Sequence, residues 1–305
     1  MTMARQVEAG AGQFLDPAVL ARLGSLELKA RVVVEGYLQG LHRSPFRGLS
    51  VEFAEYRPYL PGDDPRSIDW KIFARSDRTY VKRFEHETNL PCHLLLDVSA
   101  SMDYGSAGIT KLAYGTYLCA ALAWLLHSQR DAVGLVAFDA DVVARVPPSA
   151  RAGQLRTLLA ALARLQPGTR SDLAKPLNRL AETITRRGLV VVVSDLLDDP
   201  DTVIAGLRHV RFRGMEVVVF HLMDPAERAF PFDGATRFRD LETGADVLTS
   251  PRAVREEYLK RFEEARVRFE DALRREGVDY CPLETSTPLE FALLAYFAAR
   301  RRAKV

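Results

Sequence analysis

The chain has 305 residues, 48% of them hydrophobic and 27% charged, which is enough apolar material for a packed core and excludes extended disorder. Its 42 basic residues face 40 acidic ones, a net charge of +2, so bulk electrostatics give no argument for nucleic-acid binding. Three cysteines, Cys92, Cys119 and Cys281, without CxxC spacing, exclude a disulfide scaffold and point to a reducing, cytoplasmic setting.

Apolar residues recur at helical spacing over residues 14–40, from Leu15 to Val34, which predicts an N-terminal helical segment. No signal-peptide pattern precedes it. Residues 41–90 change character. Pro, Gly, Arg and aromatics surround short apolar bursts, and Pro61-Gly62-Asp63-Asp64 has strong turn chemistry. This stretch reads as β-rich and irregular. The acids Glu52, Glu55 and Glu87 are set to pair with Arg57, Arg66 and Arg75, while Tyr59 and Trp70 read as packing residues. A domain boundary falls near residue 90, giving an extension (1–90) and a main domain (91–305).

From residue 92 apolar runs alternate with helical patterns. HLLLDV (93–98), AVGLVAF (132–138), VVARV (142–146), VVVVSD (190–195) and MEVVVFHLM (215–223) read as strands. Helices are expected near 110–128, 153–164, 172–187 and 200–211. Strands that are apolar throughout indicate a mostly parallel sheet covered on both faces, an α/β doubly wound fold. Two short strands are expected around Glu242-Thr243-Gly244, then a charged helix at about 251–276 with Leu259, Phe262, Val267, Phe269 and Leu273 on its buried stripe and a Glu256–Lys260 pair on its solvated face. A short strand and a helix at 288–302 follow. The apolar stretch Phe291–Ala299 is too short for the ~20 residues of a membrane span. It reads as a core-packed helix, with peripheral membrane contact as the alternative.

Two apolar strands end in aspartate, at Asp97 and Asp195. In doubly wound sheets ligands bind beyond the carboxyl ends of the strands. Two carboxylates at that rim repel unless a cation or a proton lies between them. Asp97 opens the run Asp97-Val98-Ser99-Ala100-Ser101, which sets three oxygen side chains on one loop. Oxygen ligands without His or Cys favour a hard cation, Mg²⁺ first and Mn²⁺ as the alternative. The bland interpretation is a turn with helix caps.

This pattern resembles the metal-ion-dependent adhesion site of von Willebrand factor type A domains. The resemblance implies that Ser99 and Ser101 ligate the cation directly, that Asp97 and Asp195 act mainly through waters, and that a third loop supplies another hydroxyl. Ser171-Asp172-Leu173 stands where that family has Thr-Asp-Leu, so Ser171 is the expected ligand and Thr169 the alternative. The upstream signature, running from Gly48 through R57-P-Y-L-P-G-D-D-P-R-S-I-D-W70 to Glu87, is similar to that of the prokaryotic "domain of unknown function 58" family. Together these resemblances span about residues 30–225. They imply a non-enzymatic, divalent-metal-dependent protein-interaction module. One coordination position would stay open for an Asp or Glu of the partner, and the partner they imply is a MoxR-type AAA+ ATPase. Phosphate hydrolysis or phosphotransfer through Asp97 is the enzymatic alternative, although Ser99 stands where a dehalogenase-like pattern needs a second Asp. A metal-free scaffold is the third reading. No nucleophile elbow, P-loop or dinucleotide fingerprint is present.

Overall fold

The computed structural model describes residues 16–43, 56–58, 80–82 and 90–302. It divides into two compact units, one comprising Met1–Leu38 with Leu90–Val305 and the other Gln39–Asn89. In the second unit β1 (Tyr56–Pro58) pairs antiparallel with β2 (Tyr80–Lys82). Tyr59, Pro61 to Asp64, Arg66, Asp69, Trp70 and Arg75 of the signature, with Glu52, Glu55 and Glu87, lie outside the described residues.

The first unit opens with α1 (Pro17–Ala21) and with α2 (Leu26–Arg43) as far as Leu38. One helix was expected here, but the chain breaks at Gly24-Ser25. The Ser25 hydroxyl accepts from the Leu28 N–H at 3.2 Å, and a side-chain oxygen that caps a new helix competes with continuing the old one. Ala30, Val33, Val34 and Tyr37 of α2 are buried. The Lys29 ammonium donates to the Tyr117 hydroxyl at 2.9 Å.

Six strands form the central sheet: β3 (Pro91–Asp97), β4 (Ala132–Phe138), β5 (Val142–Ser149), β6 (Gly188–Ser194), β7 (Met215–Met223) and β10 (Asp279–Glu284). Their spatial order is β10-β7-β6-β3-β4-β5. All pairs are parallel except β4–β5, where β5 closes one edge antiparallel. The fold is therefore the expected α/β, mostly parallel, doubly wound one. The winding reverses between β3 and β6, and the rim there is the topological switch point at which such folds bind ligands.

Helices cover both faces, which is why the central strands are apolar at successive positions. Leu95, Val190, Val192, Val217 and Val219 point to one face and pack with Leu177 and Leu180 of α5 (Ala174–Thr183), Val203 and Leu207 of α6 (Pro200–Phe212), and Phe269 and Leu273 of α8 (Pro251–Arg275). On the other face α3 (Lys111–Ser128) lies close against the strands. A Cβ at Gly115 would meet Leu96 Cδ1 at 2.9 Å and Val193 Cγ1 at 3.2 Å, so only glycine allows this approach. α4 (Gln154–Leu162) and α9 (Leu289–Arg302) complete the layers. Ala292, Leu293 and Tyr296 of α9 are buried, in keeping with a core-packed helix. Among the described residues no helix is long and apolar enough to cross a membrane.

The stripe expected on α8 is narrower than the sequence suggests. Phe269 and Leu273 are buried, but Val267 is exposed and Leu259 and Phe262 are half-buried. Only the C-terminal half of the helix reaches the sheet. Its i,i+4 pairs join Glu257 to Arg261 and Glu270 to both Arg266 and Arg274. His221 is a buried core histidine, with Nδ1 2.6 Å from the Tyr280 hydroxyl. Between β7 and α8 the chain makes α7 (Pro225–Ala229) and a hairpin of β8 (Thr236–Arg239) and β9 (Asp246–Thr249), the two short strands expected around Glu242.

Candidate functional site

The site is assembled where β3 and β6 end side by side. Their register pairs Leu96 with Val193, so the next residues, Asp97 and Ser194, are neighbours at the rim. The Ser194 hydroxyl donates to Asp97 Oδ2 at 2.7 Å. Asp97 Oδ1 accepts from the Ser99 N–H at 2.8 Å. That bond bends the chain into a turn, and Ala100–Asp103 then form one 3₁₀ turn. The Ser99 and Ser101 hydroxyls come together at 3.0 Å.

Two backbone bonds lash the loop 168–171 to this turn. The Ala100 N–H donates to Thr169 O at 2.7 Å and the Gly168 N–H to Val98 O at 2.6 Å. A Cβ at Gly168 would lie 2.4 Å from Asp139 Oδ2, so a side chain there would displace the Asp139 carboxylate. The lashing delivers Ser171, whose hydroxyl lies 3.2 Å from Asp97 Oδ2 and 2.9 Å from Asp198 Oδ2. Thr169 turns away. Its N–H and hydroxyl both donate to Asp139 Oδ2, at 3.0 and 3.1 Å. Of the two expected third-loop candidates, Ser171 is the one that faces Asp97.

Beyond β6 the chain turns sharply, with Leu196 in the left-handed region at φ 53°, a conformation that costs a leucine about 1 kcal/mol. The turn leaves Asp195 pointing along the rim and brings Asp198 back over Ser171 and the Leu173 N–H, which it accepts at 2.9 Å. Asp195 Oδ2 takes the Lys111 ammonium at 2.7 Å, and Lys111 also reaches Glu227 at 2.6 Å. Lys111 opens α3, the helix that Gly115 seats against the sheet. Glu227 is the capping-box residue of α7, whose N-cap is Asp224. Burial works against the Lys111 charge, but the two carboxylates outweigh it and its pKa lies above the ordinary lysine value.

Asp97, Ser99, Ser101, Ser171 and Asp195 are thus all buried at one rim. Burial first, and then the charge of Asp195, push the Asp97 carboxyl up to about 7, against the opposing bonds from Ser194 and Ser99. A buried carboxylate with a like charge beside it is stabilised by a proton or by a cation.

Four participants had no local signal that singled them out: Ser194, Lys111, Asp198 and Glu242. The first and third sit inside the run Val193-Ser194-Asp195-Leu196-Leu197-Asp198, and a lysine one turn before a helical glycine was visible in hindsight only. Glu242 comes from the tip of the β8–β9 hairpin. Its pKa is raised by burial and by Asp195 and Asp198, while the Ser101 hydroxyl and the Ser171 N–H pull it back. The Glu242 carboxylate therefore lies among the same groups. Its Oε1 is buried and accepts no hydrogen bond.

Among the described residues no group of three or more His, Cys, Asp or Glu side chains is placed to hold a metal by itself. A cation at this rim would depend on the serine hydroxyls. Such a donor set fits a hard ion and does not fit zinc or copper. The orphaned Glu242 oxygen, facing hydroxyls and acids, fits the same ion. The one cation ion-paired with these acids among the described residues, Lys111, is already shared by Asp195 and Glu227.

Among solved structures the chain is similar to the conserved hypothetical protein BatB from Bacteroides thetaiotaomicron, at 16% identity and a TM-score of 0.48 over 70% of this chain and 99% of that one. It is also similar to the SpRpn10 VWA domain, at 11% identity and a TM-score of 0.39 over 67% and 93%. Among curated proteins, the uncharacterized protein Rv1480 of Mycobacterium tuberculosis is 30% identical over 299 residues, 95% of this chain and 92% of that protein. The uncharacterized protein Mb1516 of Mycobacterium bovis matches to the same extent. The family model described as "Protein of unknown function DUF58" matches residues 55–268, and the chain belongs to that family.

Proposed function

We propose that this protein is a divalent-cation-dependent protein-interaction module and not an enzyme. The supporting observation is the convergence of five oxygen-bearing residues, from three separate loops, at the switch point of the sheet. In this reading Ser99, Ser101 and Ser171 hold Mg²⁺, or Mn²⁺ in its place, while Asp97 and Asp195 act through waters. The bound ion would supply a positive centre for an acidic side chain of the partner. Asp97 and Asp195 then set the charge of the site, Ser194 orients Asp97, and Lys111 holds Asp195 at the rim. The partner that suits the family resemblance is a MoxR-type AAA+ ATPase in a cytoplasmic assembly or chaperoning role.

Asp97 is a poor nucleophile in this setting. It is fully buried, and hydrogen bonds reach both of its oxygens, which argues against phosphotransfer. The metal-free scaffold draws on one observation, the Lys111–Asp195 pair, which neutralises one acid without an ion. Calorimetric titration with Mg²⁺ and Mn²⁺ separates the two readings. The module should bind one ion per chain and lose it on Asp97→Asn. It should also bind the purified MoxR-type ATPase in Mg²⁺ and release it in EDTA. Association that is indifferent to both EDTA and Asp97→Asn would refute the proposal.

A further inference from the structure

We propose that Glu242, at the tip of the β8–β9 hairpin, is an internal ligand of the cation site, so that the chain fills its own open coordination position and a partner must displace the hairpin. This rests on the cation site proposed above.

The hairpin is built to present one side chain. Asp240 organises the tip, accepting from the Glu242 N–H at 2.8 Å and from the Thr243 hydroxyl at 2.6 Å. Gly244, at φ 73°, closes the turn. Of the six tip residues 240–245 only Glu242 is not exposed. Its Oε1 is buried without a hydrogen-bond donor, an arrangement that costs free energy unless something positive completes it. The other groups around it are the Ser101 hydroxyl, the Ser171 N–H, Asp195 and Asp198. A carboxylate with two further acids near it is stabilised by a proton or by a cation, in the proposed site by the cation. The remaining direct ligands in the proposed set are neutral hydroxyls, which makes Glu242 the anionic member of that direct set.

The hairpin is also constructed to leave. Its base is fixed by four rings: Phe230 stacks on Phe238 at 5.4 Å, Phe232 meets both of them edge-on at 5.2 Å, and Tyr258 lies 4.4 Å from Phe230. Arg255 clamps the Phe230 and Phe232 carbonyls at 3.0 and 2.7 Å. Beyond that base the strands bury little, since Val247 and Leu248 are 59% and 72% exposed. Gly234, at φ 73°, turns the chain into β8 within that anchored base. An anchored base and an unburied arm let the tip swing without breaking the core. The occupant that takes its place is an acidic side chain of a partner, since it must match the carboxylate it replaces.

The test titrates Mn²⁺ into the full chain, wild type, Glu242→Ala, Glu242→Gln and Asp97→Asn, and follows paramagnetic relaxation of acetate protons as a probe for an open carboxylate position. Circular dichroism checks that each variant is folded. The expected result is that Glu242→Ala weakens Mn²⁺ about tenfold or more, with one ion still bound, while acetate relaxation appears in this variant and is absent in wild type. Glu242→Gln should fall between the two. Loss of Mn²⁺ in Asp97→Asn together with unchanged affinity and unchanged acetate relaxation in Glu242→Ala would overturn the internal ligand and leave the site standing. Failure of wild type to bind Mn²⁺, or full binding by Asp97→Asn, would overturn both.

Discussion

The Ser194 hydroxyl donates to Asp97 Oδ2 at 2.7 Å across the end of the β3–β6 pair. This bond joins the two halves of a doubly wound sheet at the point where the winding reverses. It also sets the orientation of the acid on which the proposed site depends.

Asp97→Asn removes a buried charge beside Asp195 and keeps a carbonyl to accept one of the bonds now reaching Asp97. Without divalent ions the melting temperature of this variant should equal or exceed that of wild type. Mg²⁺ should raise the melting temperature of wild type alone, since a ligand stabilises the state that binds it. Scanning calorimetry with and without Mg²⁺ checks both expectations, and a collapse of the variant in EDTA would contradict them.

Lys111→Met keeps the length of the side chain and removes its charge. Asp195 is left buried without its partner, a change that costs about 3–5 kcal/mol when one member of a buried pair is deleted. Urea denaturation should show a loss of that size. A loss under about 1 kcal/mol would mean that Asp195 finds its neutralising charge elsewhere.

Gly115→Val puts a branched side chain where a Cβ already meets Leu96 Cδ1 at 2.9 Å. Overpacking of this kind costs about 1–3 kcal/mol. The change would also push the start of α3, and with it Lys111, off the rim. A decline in Mn²⁺ affinity alongside the loss of stability is expected, and affinity that stays at the wild-type value would separate helix packing from the site.

The His93 pKa is lowered to about 4, by burial first and then by Arg145. The unfolded chain takes up this proton near the ordinary value of 6.5 while the folded one does not. The contribution of His93 to stability is therefore complete above about pH 6.5 and is lost as pH falls toward 4, to the extent of about 3 kcal/mol. His93→Gln should flatten that part of the stability profile, measured by urea denaturation at steps from pH 7.5 to 4.5. An unchanged slope would show that His93 is already protonated in the fold.

Most of the architecture was written locally. Strands such as Ala132–Phe138 and Met215–Met223 are apolar at nearly every position because helices cover both faces, and that pattern needs no knowledge of partners. The serines after Asp97 and the acid after Val193-Ser194 were legible for the same reason: each sits directly after a buried strand, in the place where a parallel sheet presents its ligands. The break in the first helix was not legible, because it turns on one serine hydroxyl finding the Leu28 N–H. The narrow stripe of α8 was not legible either, because helical periodicity does not say where along its length the helix meets the sheet.

By itself the sequence determined the doubly wound sheet, the rim and four oxygen-bearing residues at it, with Ser171 or Thr169 as the fifth. Only the tertiary structure set Ser171 against Asp97 and Thr169 against Asp139, because backbone bonds to Val98 and from Ala100 hold that loop. Only the tertiary structure placed Lys111 on Asp195, through a helix seated by Gly115, and brought Glu242 to the same rim from a distant hairpin. The physical reason is common to all of these. Backbone patterning is dictated residue by residue by burial and period, whereas charge pairing depends on which remote segments the packed core carries into contact.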